Sequence, residues 1–314
     1  MTAILLVKTS SLGDVVHNLP VVTDIRRRFP DARIDWVVEE HFAAIPRCHC
    51  GVRDVIPVAV RRWRRTWWQH ATREAIGRVR ARLAAQTYDA VIDTQGLLKS
   101  AWLAHAARGR RHGLDWASSR EPLAWFYDET HAVPWTLHAV ERNRELAAQA
   151  LGYARDGAAE YGIQRAPSTT AAPYVVLLHA TSAERKLWPE TAWIALAKTL
   201  AARGLDVVLP WGNAEERARS ERLAQAMARA RVPERMTLDV VADLLGGARL
   251  VVGLDTGLTH WAGALGVPTL GIYVATDPAA TGLYACPRGR NLGTIGQPPA
   301  VDDVVAAAME LLAR

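Results

Sequence analysis

A cation, three hydroxyls, a glycine and a carboxylate crowd into Lys8-Thr9-Ser10-Ser11-Leu12-Gly13-Asp14, directly after the apolar run Ala3-Ile4-Leu5-Leu6-Val7. A carboxylate in such a turn can take a proton from a hydroxyl, the work of a general base. Equally, Asp14 can do no more than cap the helix that follows, accepting from its first free N–H groups. A second cluster, Thr181-Ser182-Ala183-Glu184-Arg185-Lys186, follows Val175-Val176-Leu177-Leu178-His179. Hydroxyls and a lysine ahead of a helix can hold a pyrophosphate, and a plain polar loop with a capped helix reads the same way.

Two more loops have the residues for a nucleotide. Leu209-Pro210-Trp211-Gly212-Asn213-Ala214-Glu215-Glu216 ends a strand and opens a helix with carboxylates. A carboxylate there can accept both ribose hydroxyls, or simply favour the positive end of the helix. Val251-Val252-Gly253-Leu254-Asp255-Thr256-Gly257-Leu258-Thr259-His260 ends a buried strand in Asp-Thr-Gly and starts a helix at once. The free N–H groups of that helix should point toward an anion. Aspartic proteases also use Asp-Thr-Gly, but they need two such loops in an all-β setting, and this setting is α/β. Between these loops, Met236-Thr237-Leu238 fits either a base-stacking segment or an ordinary core methionine.

The elements that must position these loops alternate. Strands are expected near 3–8, 33–38, 54–58 and 89–93, with helices near 15–29, 66–85, 97–107 and 138–151. After a Gly, Pro, Ser and Thr-rich stretch at 153–173 the pattern restarts, with strands near 174–179, 206–209, 250–254 and 269–273. Helices near 189–202, 213–229, 238–246, 257–265 and 301–313 accompany them. Strand–helix alternation of this kind means a parallel sheet covered on both faces. The 314 residues suit two domains. The expected fold class is therefore α/β, GT-B in architecture: two Rossmann-like domains facing each other across a cleft. The boundaries are set at 1–160 and 161–314, with the last helix free to pack back toward the N-terminal domain.

Half the residues are apolar, enough for two cores. No apolar run reaches the ~18 residues of a membrane span, and the opening reads as a strand rather than a signal peptide, so a cytoplasmic protein is expected. Three cysteines form no disulfide framework. Cys48-His49-Cys50 lacks the spacing and second ligand pair of a structural zinc site, so no metal is expected. The net charge is +6, with only four lysines among 38 basic residues. Arginine clusters are discounted for that bias, and lysines carry more weight: Lys8, Lys99 and Lys186 are each placed in a loop after a strand, where a point charge suits phosphate or carboxylate.

Lys8 to Asp24, Asp35-Trp36-Val37-Val38-Glu39-Glu40 and Val55 to Arg64 resemble the ADP-heptose:lipopolysaccharide heptosyltransferase family, closest to its members that place the first heptose of the inner core. The resemblance runs in collinear order from Val7 to about Pro278. Asp255 to His260 is similar to the family's (S/V)DTG(L/P)(S/T)H signature. Two departures are Ser182, where a second threonine is familiar, and Val274-Ala275-Thr276-Asp277, which replaces a Gly-Pro-containing loop.

The resemblance implies an inverting glycosyltransferase that moves heptose from ADP-heptose onto a Kdo residue of Kdo-bearing lipid A. No cofactor or metal is implied, and a monomer is expected. Asp14 would be the general base, and Lys186 would act on the departing diphosphate. Donor-binding residues would be Thr181, Ser182, Lys186, Trp211, Glu216 (with Glu215 adjacent), Met236, Asp255 at the sugar, Thr256 and Gly257 at the phosphates, and His260 supporting the loop. On the acceptor side stand Lys8, Ser10, Gly13 and Gln95. Lys99 and Arg120 would be partners for Kdo carboxylates, and His138 would line the same cleft.

Arg61-Arg62-Trp63-Arg64-Arg65-Thr66-Trp67-Trp68 is both basic and aromatic. It can be a solvated cationic helix start, a nucleic-acid patch or a membrane-surface patch. The modest net charge and lack of any nucleic-acid motif count against nucleic acid. The implied acceptor offers phosphates, carboxylates and a membrane surface together, so Arg61, Arg62, Arg64 and Arg65 are assigned to it. The location expected is the cytoplasmic face of the inner membrane, held peripherally. Alternatives are transfer to a later core heptose, and a non-catalytic polyanion- or lipid-binding protein. A nicotinamide oxidoreductase would need a G-x-G-x-x-G turn that the first loop lacks.

Overall fold

The computed structural model describes residues 2–164, 173–181 and 183–313, so Ser182 and most of the expected linker's second half lie outside the described residues. The chain divides into two compact units, Met1–Gln164 and Arg165–Arg314. The first contains β1 (Ala3–Val7), α1 (Leu12–Val16), α2 (Leu19–Arg28), β2 (Arg33–Glu39), α3 (Ala44–Arg47), β3 (Val52–Val58), α4 (Val60–Thr66), α5 (His70–Ala84), β4 (Thr87–Asp93), α6 (Leu98–Ala106), β5 (Arg108–Leu114), β6 (Glu129–His131) and α7 (Ala139–Leu151). The second contains β7 (Tyr174–Leu178), α8 (Glu190–Ala202), β8 (Asp206–Val208), α9 (Ala214–Ala226), β9 (Ala230–Arg231), α10 (Leu238–Gly246), β10 (Leu250–Leu254), α11 (Gly257–Ala264), β11 (Thr269–Ile272), α12 (Pro278–Thr281), β12 (Gly289–Leu292) and α13 (Val301–Ala313).

Each unit holds one six-stranded sheet, ordered β3-β2-β1-β4-β5-β6 and β12-β11-β10-β7-β8-β9. Every strand pairing is parallel. Both sheets therefore have the Rossmann strand order, in which successive strands add outward on one side and then jump to the other. The jump sits between β1 and β4 in the first unit and between β7 and β10 in the second. Strands at these positions are buried on both faces, which is why β1, β7 and β10 read as unbroken apolar runs.

The structure differs from the expected elements in ways the chemistry explains. The helix expected at 15–29 is two, because Pro20 at the start of α2 has no N–H to continue a ladder from α1. The basic aromatic stretch is its own short helix, α4, and α5 begins only at His70. Lys99 is in the first turn of α6 rather than in a loop. Strands β5 and β6 went unforeseen, since Arg108-Gly-Arg-Arg-His-Gly-Leu114 has neither alternation nor an apolar run; neighbours on both sides hold it extended. Edge strands β9 and β12 are short and equally quiet in sequence. Helix α13 spends its apolar face (Val304, Ala307, Ala308, Leu311) in the core of the second unit.

One buried ion cluster fixes α7, which carries several of the residues discussed below. Arg144 donates to Asp24 of α2 at 2.7 and 3.0 Å, to Glu141 at 2.9 Å and to the carbonyls of Asp156 and Gly157. At 2% exposure its guanidinium has no water to fall back on. Removing one member of a buried ion cluster strands the others, at a cost of about 3–5 kcal/mol. Arg144→Ala is therefore expected to lower unfolding free energy in urea by that amount, whereas Arg222→Ala, which loses an exposed pair with Glu190, should cost about 1 kcal/mol or less.

Candidate functional site

In the first unit, the loops leaving β1 and β4 meet at the switch point. Gln95 joins them: its Oε1 accepts from the amides of Thr9 at 3.0 Å and Ser10 at 2.9 Å. Asp93, fully buried at the end of β4, accepts from the amides of Gln95 and Gly96 and from the Tyr127 hydroxyl at 2.8 Å. Burial pushes the Asp93 carboxyl up despite these donors. Lys8 crosses the same junction, donating to the Thr94 carbonyl at 2.7 Å and to Asn143 Oδ1 of α7 at 3.2 Å. Burial lowers the Lys8 ammonium from its ordinary value, with Asp14 and Asp93 pulling it back up and Arg142 and Arg120 pushing it down.

Asp14 stands one turn into α1, partly exposed, with Oδ2 accepting from the Ser11 amide at 2.8 Å and the Ser11 hydroxyl at 2.9 Å. It is thus a helix-start residue, as the plain reading requires. Only one of its oxygens is engaged in those bonds, and the residue also lines a cavity of about 70 Å³ with Lys8, Gln95, Arg120, Trp135 and Arg142. Lys99 donates to Ser10 Oγ at 2.5 Å, and Gly13 lies in the same turn of α1.

Three cations around one partly exposed carboxylate leave this cavity with an excess of positive charge. Arg142 and Trp135 were not singled out from the sequence, and they matter here. The Arg142 guanidinium stacks 3.5 Å above the Trp135 ring, Arg120 approaches the same ring at 6.0 Å, and Trp135 is fixed by its Nε1–H bond to the Ala117 carbonyl. Burial, then the Arg120 charge, lowers Arg142 to about 10. In a chain so rich in arginine, Arg142 gave no signal; its place one helical turn after His138 could have drawn attention to it. His138 itself caps α7, accepting from the Val140 amide at 3.2 Å, and packs edge-on against His17.

The basic aromatic helix α4 buries Val60 and Trp63 and exposes Arg61, Arg62, Arg64 and Arg65. Glu39 caps the Arg61 amide at 3.0 Å, and Arg62 pairs with Glu40 at 3.1 Å.

In the second unit, Asp255 at the end of β10 is the hub. Its Oδ2 accepts from Lys186 Nζ at 2.6 Å and Thr276 Oγ1 at 2.8 Å, and its Oδ1 from His260 Nε2 at 3.2 Å. Burial opposes the charge, but the bonds from His260 and Lys186 outweigh it and hold the carboxyl below the usual range. The loop after β7 and the helix after β10 are thereby tied by a single ion pair. Thr276, in the loop Val274-Ala275-Thr276-Asp277 that departs from the family's pattern, supplies the third bond. Thr256 is the N-cap of α11, so the helix's first N–H groups start beside this hub. Gly253 is required for the approach, because a Cβ there would sit 2.2 Å from Thr259 Oγ1.

Thr181 is half-buried in the same loop as Lys186, and Ser182 lies outside the described residues. Glu216 accepts from the Gly212 amide at 2.7 Å, folding its carboxylate back over the β8–α9 loop, while Glu215 is exposed. Trp211 is pinned to the Pro233 carbonyl at 2.8 Å, which draws this loop toward the segment containing Met236. Met236 is half-buried.

Both ring nitrogens of His49, between Cys48 and Cys50, are engaged, with Thr23 and the Gly51 amide. Among the described residues, His112, Glu129 and His131 bring possible ligand atoms within 4.8 Å of one another. Those groups already face each other, with His112 Nδ1 3.1 Å from His131 Nε2, and Glu129 pairs with Arg110.

The glycosyltransferase family 9 (heptosyltransferase) pattern matches residues 76–303. Over 287 residues the chain is 50% identical to lipopolysaccharide heptosyltransferase 1 of Pseudomonas aeruginosa, covering 90% of this chain and 81% of that one. The structure superposes on the E. coli heptosyltransferase WaaC with ADP at a TM-score of 0.92, with 42% identity over 99% of this chain and 100% of that one. The same enzyme with ADP-2-deoxy-2-fluoro heptose gives 0.86 over 99% of each chain, also at 42% identity. The fold class is that of the GT-B heptosyltransferases.

His179, between β7 and the Lys186 loop, is fully buried and bonds Ser220 of α9 through Nε2 at 2.8 Å. Burial, then the Arg219 charge, lowers its imidazole to about 4. The unfolded chain, with an imidazole near 6.5, therefore takes up the proton first as pH falls. The stability due to neutral His179 is complete above pH ~6.5 and is lost as pH falls toward ~4. Between pH ~7 and ~4.5 the wild type should lose about 2–3 kcal/mol more than His179→Gln, read by urea denaturation at both pH values.

Proposed function

The chain belongs to glycosyltransferase family 9, the heptosyltransferases, and on that premise we propose that it moves heptose from ADP-heptose onto a Kdo residue of Kdo-bearing lipid A in lipopolysaccharide inner-core synthesis. The observation that carries the reading is the pairing of two unlike switch points. One presents a partly exposed carboxylate beside buried Lys8, half-buried Arg142 and exposed Arg120, and the other presents a lysine and a helix start around Asp255.

In the proposed step, Asp14 takes the proton of an acceptor hydroxyl as that oxygen attacks the anomeric carbon from the face opposite the leaving group. The C1–O bond breaks with its electron pair going to ADP, and the configuration inverts. Lys186 leaves Asp255 for the diphosphate, whose charge the start of α11 also meets. Preorganised donors of this kind often contribute most to catalysis, so the reading calls for no metal or other cofactor. Thr181, Ser182, Thr256 and Gly257 hold the phosphates, Glu216 the ribose and Met236 the adenine, with Trp211 fixing the loop between them. Asp255 turns to the sugar once Lys186 is drawn away, and His260 keeps it charged.

On the acceptor side, Lys8, Arg120, Arg142 and Lys99 meet the acid sugar's carboxylates, Ser10 and Gly13 shape the turn, Gln95 braces it, and His138 holds α7 behind the cavity. Arg61, Arg62, Arg64 and Arg65 meet the acceptor phosphates at the cytoplasmic membrane surface. Among the described residues no helix is long and apolar enough to cross a membrane.

Incubation with ADP-heptose and Kdo-bearing lipid A should add one heptose by mass spectrometry. No product from wild type would sink the acceptor assignment. Asp14→Asn keeps the shape and most of the capping but removes the basicity, so turnover should fall by roughly two to four orders of magnitude with folding intact. Turnover within a few-fold of wild type would reduce Asp14 to a helix cap. Lys186→Ala should weaken ADP binding by about 2 kcal/mol or more, and AMP binding less, since AMP lacks the β-phosphate. Equal losses in calorimetric titrations with the two nucleotides would move Lys186 away from that phosphate.

A further inference from the structure

A cavity of about 1030 Å³ in the first unit lies beside the acceptor turn, and its walls are mostly apolar. Trp63 and Trp67 come from α4, Leu98 and Trp102 from α6, and Leu123 and Phe126 from the segment after β5. Several of these side chains are left facing solvent: Trp67 is 65% exposed, Leu98 56% and Trp102 38%. Large apolar side chains lining an open groove mark a binding surface rather than a core. Its size is at the upper limit of the usual range for small-molecule pockets, ~300–1,000 Å³.

The groove is not uniformly apolar. Arg64 and Lys99 lie at its lining, and the one carboxylate among its described lining residues, Glu121, is engaged by the Leu98 amide at 2.6 Å. With two cations against that one carboxylate, the net charge of the lining is positive. Lys99 also donates to Ser10, four residues from Asp14, so one side chain belongs both to the groove and to the acceptor turn. A ligand that is anionic where it meets Asp14 and apolar beyond Lys99 satisfies both halves. Neither a free sugar phosphate nor a nucleic acid has that second part.

We infer that this groove seats a fatty acyl chain of the acceptor lipid, held between α4 and α6 while Lys99 and Arg64 meet the anionic groups at its head. The inference rests on the acceptor reading given above and adds a subsite to it. Trp102 and Leu98 set the affinity for the chain, and they take no part in sugar transfer.

The test compares two acceptors with the same Kdo-bearing phosphorylated head, one without acyl chains and one with a single short chain, both kept monomeric and free of vesicles. Each methylene moved from water into the groove is worth about a fourfold factor, so the chain should lower the wild-type KM by roughly tenfold or more with little change in kcat. Trp102→Glu and Leu98→Glu should each cut that advantage to about threefold or less while kinetics on the chain-free acceptor and ADP affinity hold; Trp102→Ser serves if a charged variant misfolds. Equal KM values in wild type, an advantage that survives the substitutions, or one that appears only with anionic vesicles would each overturn the groove assignment. No transfer to either acceptor would overturn the acceptor reading and the groove with it.

Discussion

Parallel strands cannot be joined by a tight turn, so each must be followed by a crossover that begins at its carboxyl end. In both sheets of this protein that geometry gathers the outgoing loops, and the first helix start after each, along one edge. The Rossmann order then parts two of those loops at a single place in each sheet, between β1 and β4 and between β7 and β10. Lys8, Asp14 and Gln95 collect at the first of these places, and Lys186, Asp255 and Thr256 at the second. The arrangement follows from backbone hydrogen bonding before any side chain is chosen.

The two switch points solve opposite electrostatic problems. Around Asp255 the charges balance: one half-buried carboxylate is met by a lysine, a hydroxyl and an imidazole. Such a site can release its lysine to an incoming anion without stranding the carboxylate, because two donors stay in place. Around Asp14 the charges do not balance, since Lys8, Arg120 and Arg142 face one partly exposed carboxylate. Lys8 survives burial by bonding to Thr94 and Asn143, and Arg142 by stacking on Trp135. An anionic ligand is the natural counterweight.

Support for these sites comes from residues with no chemistry of their own. Arg144 ties α7 to α2 and so sets where Asn143 and Arg142 present themselves. His179 and Ser220 join the end of β7 to α9, the helix that carries Glu216. Both links are buried, so they hold position without competing water.

The sequence alone determined the sheet cores and the identity of the main loops. Apolar runs such as Ala3–Val7, Tyr174–Leu178 and Leu250–Leu254 can be satisfied only by burial on both faces, and the polar residues just past them must then lie at the sheet edge. It did not determine edge strands such as β5 and β9, whose extended form depends on neighbours rather than on their own residues. Nor could it reveal Arg142 over Trp135, Thr276 on Asp255 or the groove between α4 and α6. Local pattern records what a residue must do within its own helix or strand. Contacts between residues far apart in sequence arise only when the sheet order brings their elements together, and that step belongs to the tertiary structure.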